Sequence, residues 1–229
     1  MLAALDGTPG RIPVVLGGCG TGRTTLLHAL ADRLGRGACQ YLDIERSAST
    51  PERFHRAVSA VAATGPAAPQ PEPTSAREAF DRTLRLLTRP AGDRPATFML
   101  DEILELRTFE SFPGLRHVLR ETIDALAASG NRFVLTSRYV ARAHKLLRDA
   151  GGRFDVIHLP SLSPDEVSGM LPPVGDSPDD RDFLGRTIQA LTDGRAAYVR
   201  ALGEASASMS SRGSDPISAL TAPSPPMAP

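Results

Sequence analysis

Five short apolar runs, separated by longer segments with helical periodicity, restrict the fold of this chain more than any other feature. They are IPVVLG (12–17), CQYLDIE (39–45), ATFMLDE (96–102), RFVLTS (132–137) and FDVIHL (154–159). Runs this short and this apolar suit strands covered by helices on both faces, and their alternation with helices implies βαβ crossovers and a largely parallel sheet. Between the runs, Leu26, Leu27, Leu30 and Leu34 share one helical face. The same holds for Phe54, Val58 and Val61, for Phe80, Leu84 and Leu87, and for Leu115, Leu119 and Ile123. Such stripes are most simply the faces that pack on the sheet. The predicted fold is α/β, a five-stranded parallel sheet sandwiched by helices.

Local signals set the boundaries. Thr50-Pro51-Glu52 places a hydroxyl and then a proline just ahead of the Phe54 stripe, which predicts a helix start. Residues 64–74, TGPAAPQPEPT, carry four prolines and predict an exposed excursion between two helices. Beyond the fifth run, LSPDEVSGML, DRDFLGRTIQALTDG and RAAYVRALGEA read as three short helices with no strand between them, a small helical subdomain. From Ser206 to Pro229, serine, proline and alanine dominate and predict disorder. The expected division is an α/β domain over 1–160, a helical lid over 161–205 and a tail over 206–229.

Composition narrows the function. Twenty-six basic and 26 acidic residues cancel, so no global field marks the chain as a binder of nucleic acid or membrane surfaces, although a local basic patch stays open. Two cysteines, Cys19 and Cys39, form neither a disulfide framework nor a zinc spacing, which fits a reducing, cytoplasmic setting. No run of about 18 apolar residues is present, so no membrane partner is expected. The five histidines are scattered without metal-ligand spacing.

The first strand runs into Gly17-Gly18-Cys19-Gly20-Thr21-Gly22-Arg23-Thr24-Thr25, which satisfies the phosphate-loop pattern G-x-x-x-x-G-K-[ST] except that arginine replaces the lysine. Glycines let such a backbone fold around a polyphosphate, and the following helix presents its positive end to the same anion. Thr24 would offer a hydroxyl to magnesium. A plain tight strand-to-helix turn is the alternative. The third run ends in Asp101-Glu102, at the sheet end where ligands bind in open α/β folds. There Asp101 would hold magnesium and Glu102 would orient the attacking water, the alternative being a solvated strand end. The fourth run ends in Thr136-Ser137-Arg138, where a hydroxyl or the Arg138 guanidinium would reach a γ-phosphate, unless Arg138 is simply a surface residue.

LGGCGTGRTTLL, FMLDE, VLTSR, LPSLSPDEVSGML and TDGRAAYVRAL together resemble the AAA+/STAND group of P-loop ATPases, and more narrowly archaeal-type and origin-recognition-complex-like ATPases. The resemblance spans roughly residues 11–205. It implies a P-loop sheet with an α-helical lid, ATP and Mg²⁺ as ligands, and Gly18 to Thr25 as phosphate binders. It further implies Asp101 and Glu102 as Walker B acids, Thr136 or Arg138 as γ-phosphate sensor, and Arg195 as the lid's nucleotide-sensing residue. An ordinary amphipathic helix would also account for the Arg195 stretch. No winged-helix segment follows the lid, so a minimal or truncated relative is expected.

Arg23 keeps the positive charge of the missing lysine but is wider, planar and forked. It should bind a triphosphate while displacing it from in-line attack, and a displacement of about 1 Å costs on the order of a hundredfold in rate. Slow Mg-dependent ATP hydrolysis coupled to conformational change is therefore expected. The alternatives are a non-hydrolysing ATP switch or scaffold and a DNA-associated loader, with self-association or a client protein as further partners. Cys19, beside a helix N-terminus, is read mainly as a small loop residue rather than a redox site.

Overall fold

The structure, a computed structural model, describes residues 10–62, 71–90, 95–148, 150, 152–171 and 178–210. Two compact units result. The first runs to Leu159 without Cys19–Gly22, and the second comprises Cys19–Gly22 and the chain from Pro160 onward.

The first unit contains five strands: β1 (Ile12–Leu16), β2 (Cys39–Asp43), β3 (Thr97–Asp101), β4 (Arg132–Ser137) and β5 (Phe154–His158). Its helices are α1 (Arg23–Leu34), the short α2 (Ile44–Ser47), α3 (Pro51–Ala62), α4 (Ala76–Thr88), α5 (Val118–Ala128) and α6 (Val140–Arg148). The strands form one sheet in the order β2-β3-β4-β1-β5, and every neighbouring pair is parallel. Each predicted apolar run is a strand, ending at or just inside the expected boundary.

Strand periodicity explains why these runs carry so few polar residues. Phe98, Leu100, Phe133 and Leu135 belong to one buried cluster, while the intervening Met99 and Val134 pack with Leu27, Leu30 and Ala31 of α1. Successive side chains point to opposite faces, and both faces are covered. The Phe98 and Phe133 rings pack at 5.7 Å between centroids.

The helix starts follow their capping chemistry. The Arg53 amide donates to Thr50 Oγ1 at 3.2 Å with Pro51 as the first residue of α3, as the sequence predicts. Ser75 Oγ accepts from the Glu78 amide at 3.2 Å at the head of α4. Residues 71–73 of the predicted excursion carry no regular structure, whereas 63–70 lie outside the described residues. A 3-10 segment, Ile103–Ser111, was not foreseen. It buries Ile103, Leu104, Leu106 and Phe109 at a spacing that fits no 3.6-residue stripe. Leu115 is buried in the turn before α5 rather than within it.

The second unit holds α7 (Pro164–Met170), α8 (Pro178–Thr192) and α9 (Ala196–Ser210) around Val167, Leu171, Ile188 and Val199. Ser163 and Glu166 form a reciprocal capping box at α7. Gly194, at φ 62°, allows the link between α8 and α9 to approach Leu162, since a Cβ there would lie 2.3 Å from the Leu162 carbonyl oxygen. The expectation of disorder from Ser206 needs correction. Helix α9 continues to Ser210 because alanine and serine alternate there without a breaker, and the rest of the predicted tail, 211–229, lies outside the described residues.

Asn131 ties three elements of the first unit together. Its Oδ1 accepts from the Ala96 amide at 3.1 Å, and its Nδ2 donates to the carbonyls of Leu87 and Arg89 at 2.7 and 2.9 Å. The residue is 1% exposed. Replacing Asn131 by alanine leaves these backbone groups unpaired and is expected to destabilise the unit by about 2–4 kcal/mol, read from the urea unfolding midpoint.

Candidate phosphate-binding site

Parallel register brings the polar strand ends together. Leu16 pairs with Ser137, Leu100 with Leu135, and Asp43 with Asp101. The side chains that follow or end β1, β3 and β4 are therefore neighbours.

Asp101 is the centre of this group and is 4% exposed. Its Oδ2 accepts from the Thr24 hydroxyl at 2.7 Å and from the Tyr41 hydroxyl at 3.0 Å, and its Oδ1 accepts from the Thr136 hydroxyl. Burial, reinforced by the negative charge of Asp101, pushes the Tyr41 pKa well above the ordinary phenol value. Tyr41 therefore acts as a hydrogen-bond donor throughout the physiological range.

Glu102 adopts the left-handed conformation, φ 59° and ψ 51°, which is uncommon and costly for a residue with a Cβ. Two contacts hold it there. Its amide donates to Thr136 Oγ1 at 2.9 Å, and its Oε2 accepts from the Arg138 amide at 3.0 Å. Its other oxygen, Oε1, pairs with the Arg23 guanidinium, and both side chains are only 8% exposed. Arg23 also donates through Nη1 to the carbonyl oxygens of Gly17 and Gly18. Arg23 thus bridges the end of β1 to Glu102.

The Arg138 side chain points elsewhere. It donates to Glu45 at 2.9 Å and to Glu105 at 2.5 Å, with the Tyr139 hydroxyl also bonded to Glu105 at 3.0 Å. Hydrogen bonds to Tyr139 and Glu45 raise its pKa above the ordinary arginine value. Only its backbone amide reaches the Glu102 carboxylate.

The remaining loop residues belong to the second unit. Gly20 and Gly22 have φ of 80° and 96°, backbone that favours glycine, and the Gly20 carbonyl accepts from the Ala197 amide at 3.0 Å. Arg195 lies beside this contact, its Cβ 3.6 Å from where a Gly20 Cβ would stand, and its guanidinium sits 6.0 Å from the centre of the Tyr198 ring. Cys19 is exposed, as are Thr24 and Thr25.

Three participants escape the sequence patterns: Tyr41, Glu45 and Glu105. Each becomes visible only when strand pairing and the 3-10 segment are known. The histidines are not all separate either, since His144 and His158 approach with their Nε2 atoms 3.0 Å apart. Among the described residues no group of three or more histidine, cysteine, aspartate or glutamate side chains could hold a metal ion, and no helix is long and apolar enough to cross a membrane.

Thr136 is the joint of the network, since it donates to Asp101 and accepts from Glu102. Thr136→Val keeps the shape but strands the buried Glu102 amide. A loss of about 1–3 kcal/mol in unfolding free energy is expected, together with faster amide exchange at residue 102.

No family model and no curated protein matches the chain. Solved structures do. Orc1 of Aeropyrum pernix, determined in complex with DNA, superposes with a TM-score of 0.63 at 18% identity, over 93% of this chain and 58% of that one. A Walker-type ATPase of Pyrococcus abyssi gives 0.58 at 17% identity over 82% and 60%, respectively. Cdc6p of Pyrobaculum aerophilum gives 0.57 at 15% identity over 92% and 59%. The chain thus spans about three fifths of the length of these structures. The five-stranded parallel sheet with its flanking helices has the fold of the Orc1/Cdc6-type AAA+ ATPases.

Proposed function

We propose that the chain binds a magnesium–nucleotide at the glycine-rich loop and hydrolyses ATP slowly, as a cytoplasmic member of the AAA+/STAND group whose output is a conformational change. The observation that carries this reading is the convergence of Thr24 and Thr136 on the two oxygens of Asp101. A carboxylate and a hydroxyl of this kind are hard oxygen donors and fit Mg²⁺. Two cysteines without a disulfide framework support the compartment.

Bound Mg–ATP would supply the phosphoryl group and the metal charge that steadies it. The chain supplies the rest. Asp101 and Thr24 would hold the metal, Gly17 to Thr25 would surround the phosphates, and Thr136 keeps both acids in place. Glu102 accepts a proton from the attacking water. Arg195 would contact the nucleotide, and Thr136 or Arg138 would register the γ-phosphate. The Arg138 role requires its guanidinium to leave Glu45 and Glu105.

A second reading, a non-hydrolysing ATP switch or scaffold, is favoured by one observation: the Glu102 carboxylate is engaged by Arg23. Partners by analogy are DNA, since the Orc1 neighbour was solved on DNA, a client protein, or further copies of the chain. A net charge of zero supplies no general attraction to DNA.

Calorimetric titration with Mg–ATP followed by a phosphate-release assay tests both readings. Slow turnover is expected, lowered about a hundredfold or more by Glu102→Gln and raised by Arg23→Lys. Binding without turnover selects the switch, and turnover indifferent to Glu102→Gln removes Glu102 from the chemistry.

A further inference from the structure

Resting on the nucleotide-binding reading, we infer that the Arg23–Glu102 pair is a displaceable latch, in which Glu102 competes with the ligand's phosphates for Arg23 and so sets nucleotide affinity.

Three observations converge on it. The pair is buried on both sides, where a carboxylate and a guanidinium hold each other strongly and where either partner alone is costly. The guanidinium is also committed to the Gly17 and Gly18 carbonyls, the backbone that begins the loop. The acid itself sits in a left-handed conformation that only its surroundings maintain.

A phosphate and the Glu102 carboxylate seek the same charged donors, because an arginine fork matches either anion. A bound polyphosphate therefore draws on Arg23 only by weakening its bond to Glu102. The acid is not left without a partner when this happens, since the Arg138 amide still donates to its Oε2. That remaining bond does not carry a full charge. Releasing Arg23 thus opposes ligand binding, and apparent affinity falls by the weight of the latched state. A lysine, whose three donors sit on one compact ammonium nitrogen without a planar fork, would hold the loop carbonyls and the acid less rigidly. Arginine at position 23 makes Glu102 a positioning residue for the phosphate site, in addition to its proposed part in hydrolysis.

The latch predicts an inverted effect that hydrolysis cannot produce. Binding of ADP and of pyrophosphate, neither of which reports turnover of ATP, is measured by calorimetry in a double-mutant cycle on the full chain. Glu102→Gln is expected to tighten both ligands by about tenfold, and to change them less than about twofold when Arg23 is already methionine. Should Arg23→Met not fold, Arg23→Lys completes the cycle, with the gain expected to fall below about threefold.

Equal tightening in both backgrounds would mean simple relief of charge repulsion and would overturn the latch, as would weaker binding to Glu102→Gln. If the wild type binds ADP and the coupling is absent, the latch alone fails. If neither wild type nor any variant binds either ligand, the nucleotide-binding reading fails and the latch with it. Binding by Glu102→Gln but not by the wild type supports both.

Discussion

Parallel strand register is the constraint on which the site depends. When every strand of a sheet runs the same way, the last residue of each arrives at one edge, and polar side chains that would be isolated on separate hairpins become neighbours. Here that edge carries Ser137, Asp101, Glu102 and Thr136, with Gly17 and Gly18 leaving β1 beside them. None of these groups could be so concentrated without the apolar strands behind them, which bury both faces and fix the register.

Within that edge the two acids have different surroundings. Asp101 accepts hydrogen bonds from the hydroxyl groups of Thr24, Tyr41 and Thr136. Glu102 is met by a guanidinium, the Arg138 amide and the Thr136 hydroxyl in an unfavourable backbone conformation. One acid is thus held by hydroxyl groups, and the other by an arginine. The exchange of lysine for arginine changes the meaning of the glycine-rich loop: the charge is retained, but it is directed at the acid and at the loop's own carbonyls.

The fold was largely legible because its determinants are local and periodic. Five apolar runs predicted five strands, and the helix starts at Thr50 and Ser163 obey capping chemistry that depends on a few adjacent residues. The 3-10 segment after Glu102 was not legible, since Ile103, Leu106 and Phe109 are buried at a three-residue spacing rather than along a 3.6-residue stripe. The extent of α9 was misjudged for a related reason. Serine and alanine are weak evidence against a helix once a preceding turn has nucleated it.

The sequence by itself determined the α/β alternation, the glycine-rich turn after β1 and the acid pair after β3, because each is written in neighbouring residues. Tertiary structure decided the rest. That Arg23 would hold Glu102, that Tyr41 would reach Asp101, and that Arg138 would turn its side chain toward Glu45 and Glu105 all depend on residues far apart in the chain. The physical reason is that charge pairing has no period: the partner of a guanidinium is chosen by which carboxylate the packed sheet brings within hydrogen-bonding reach.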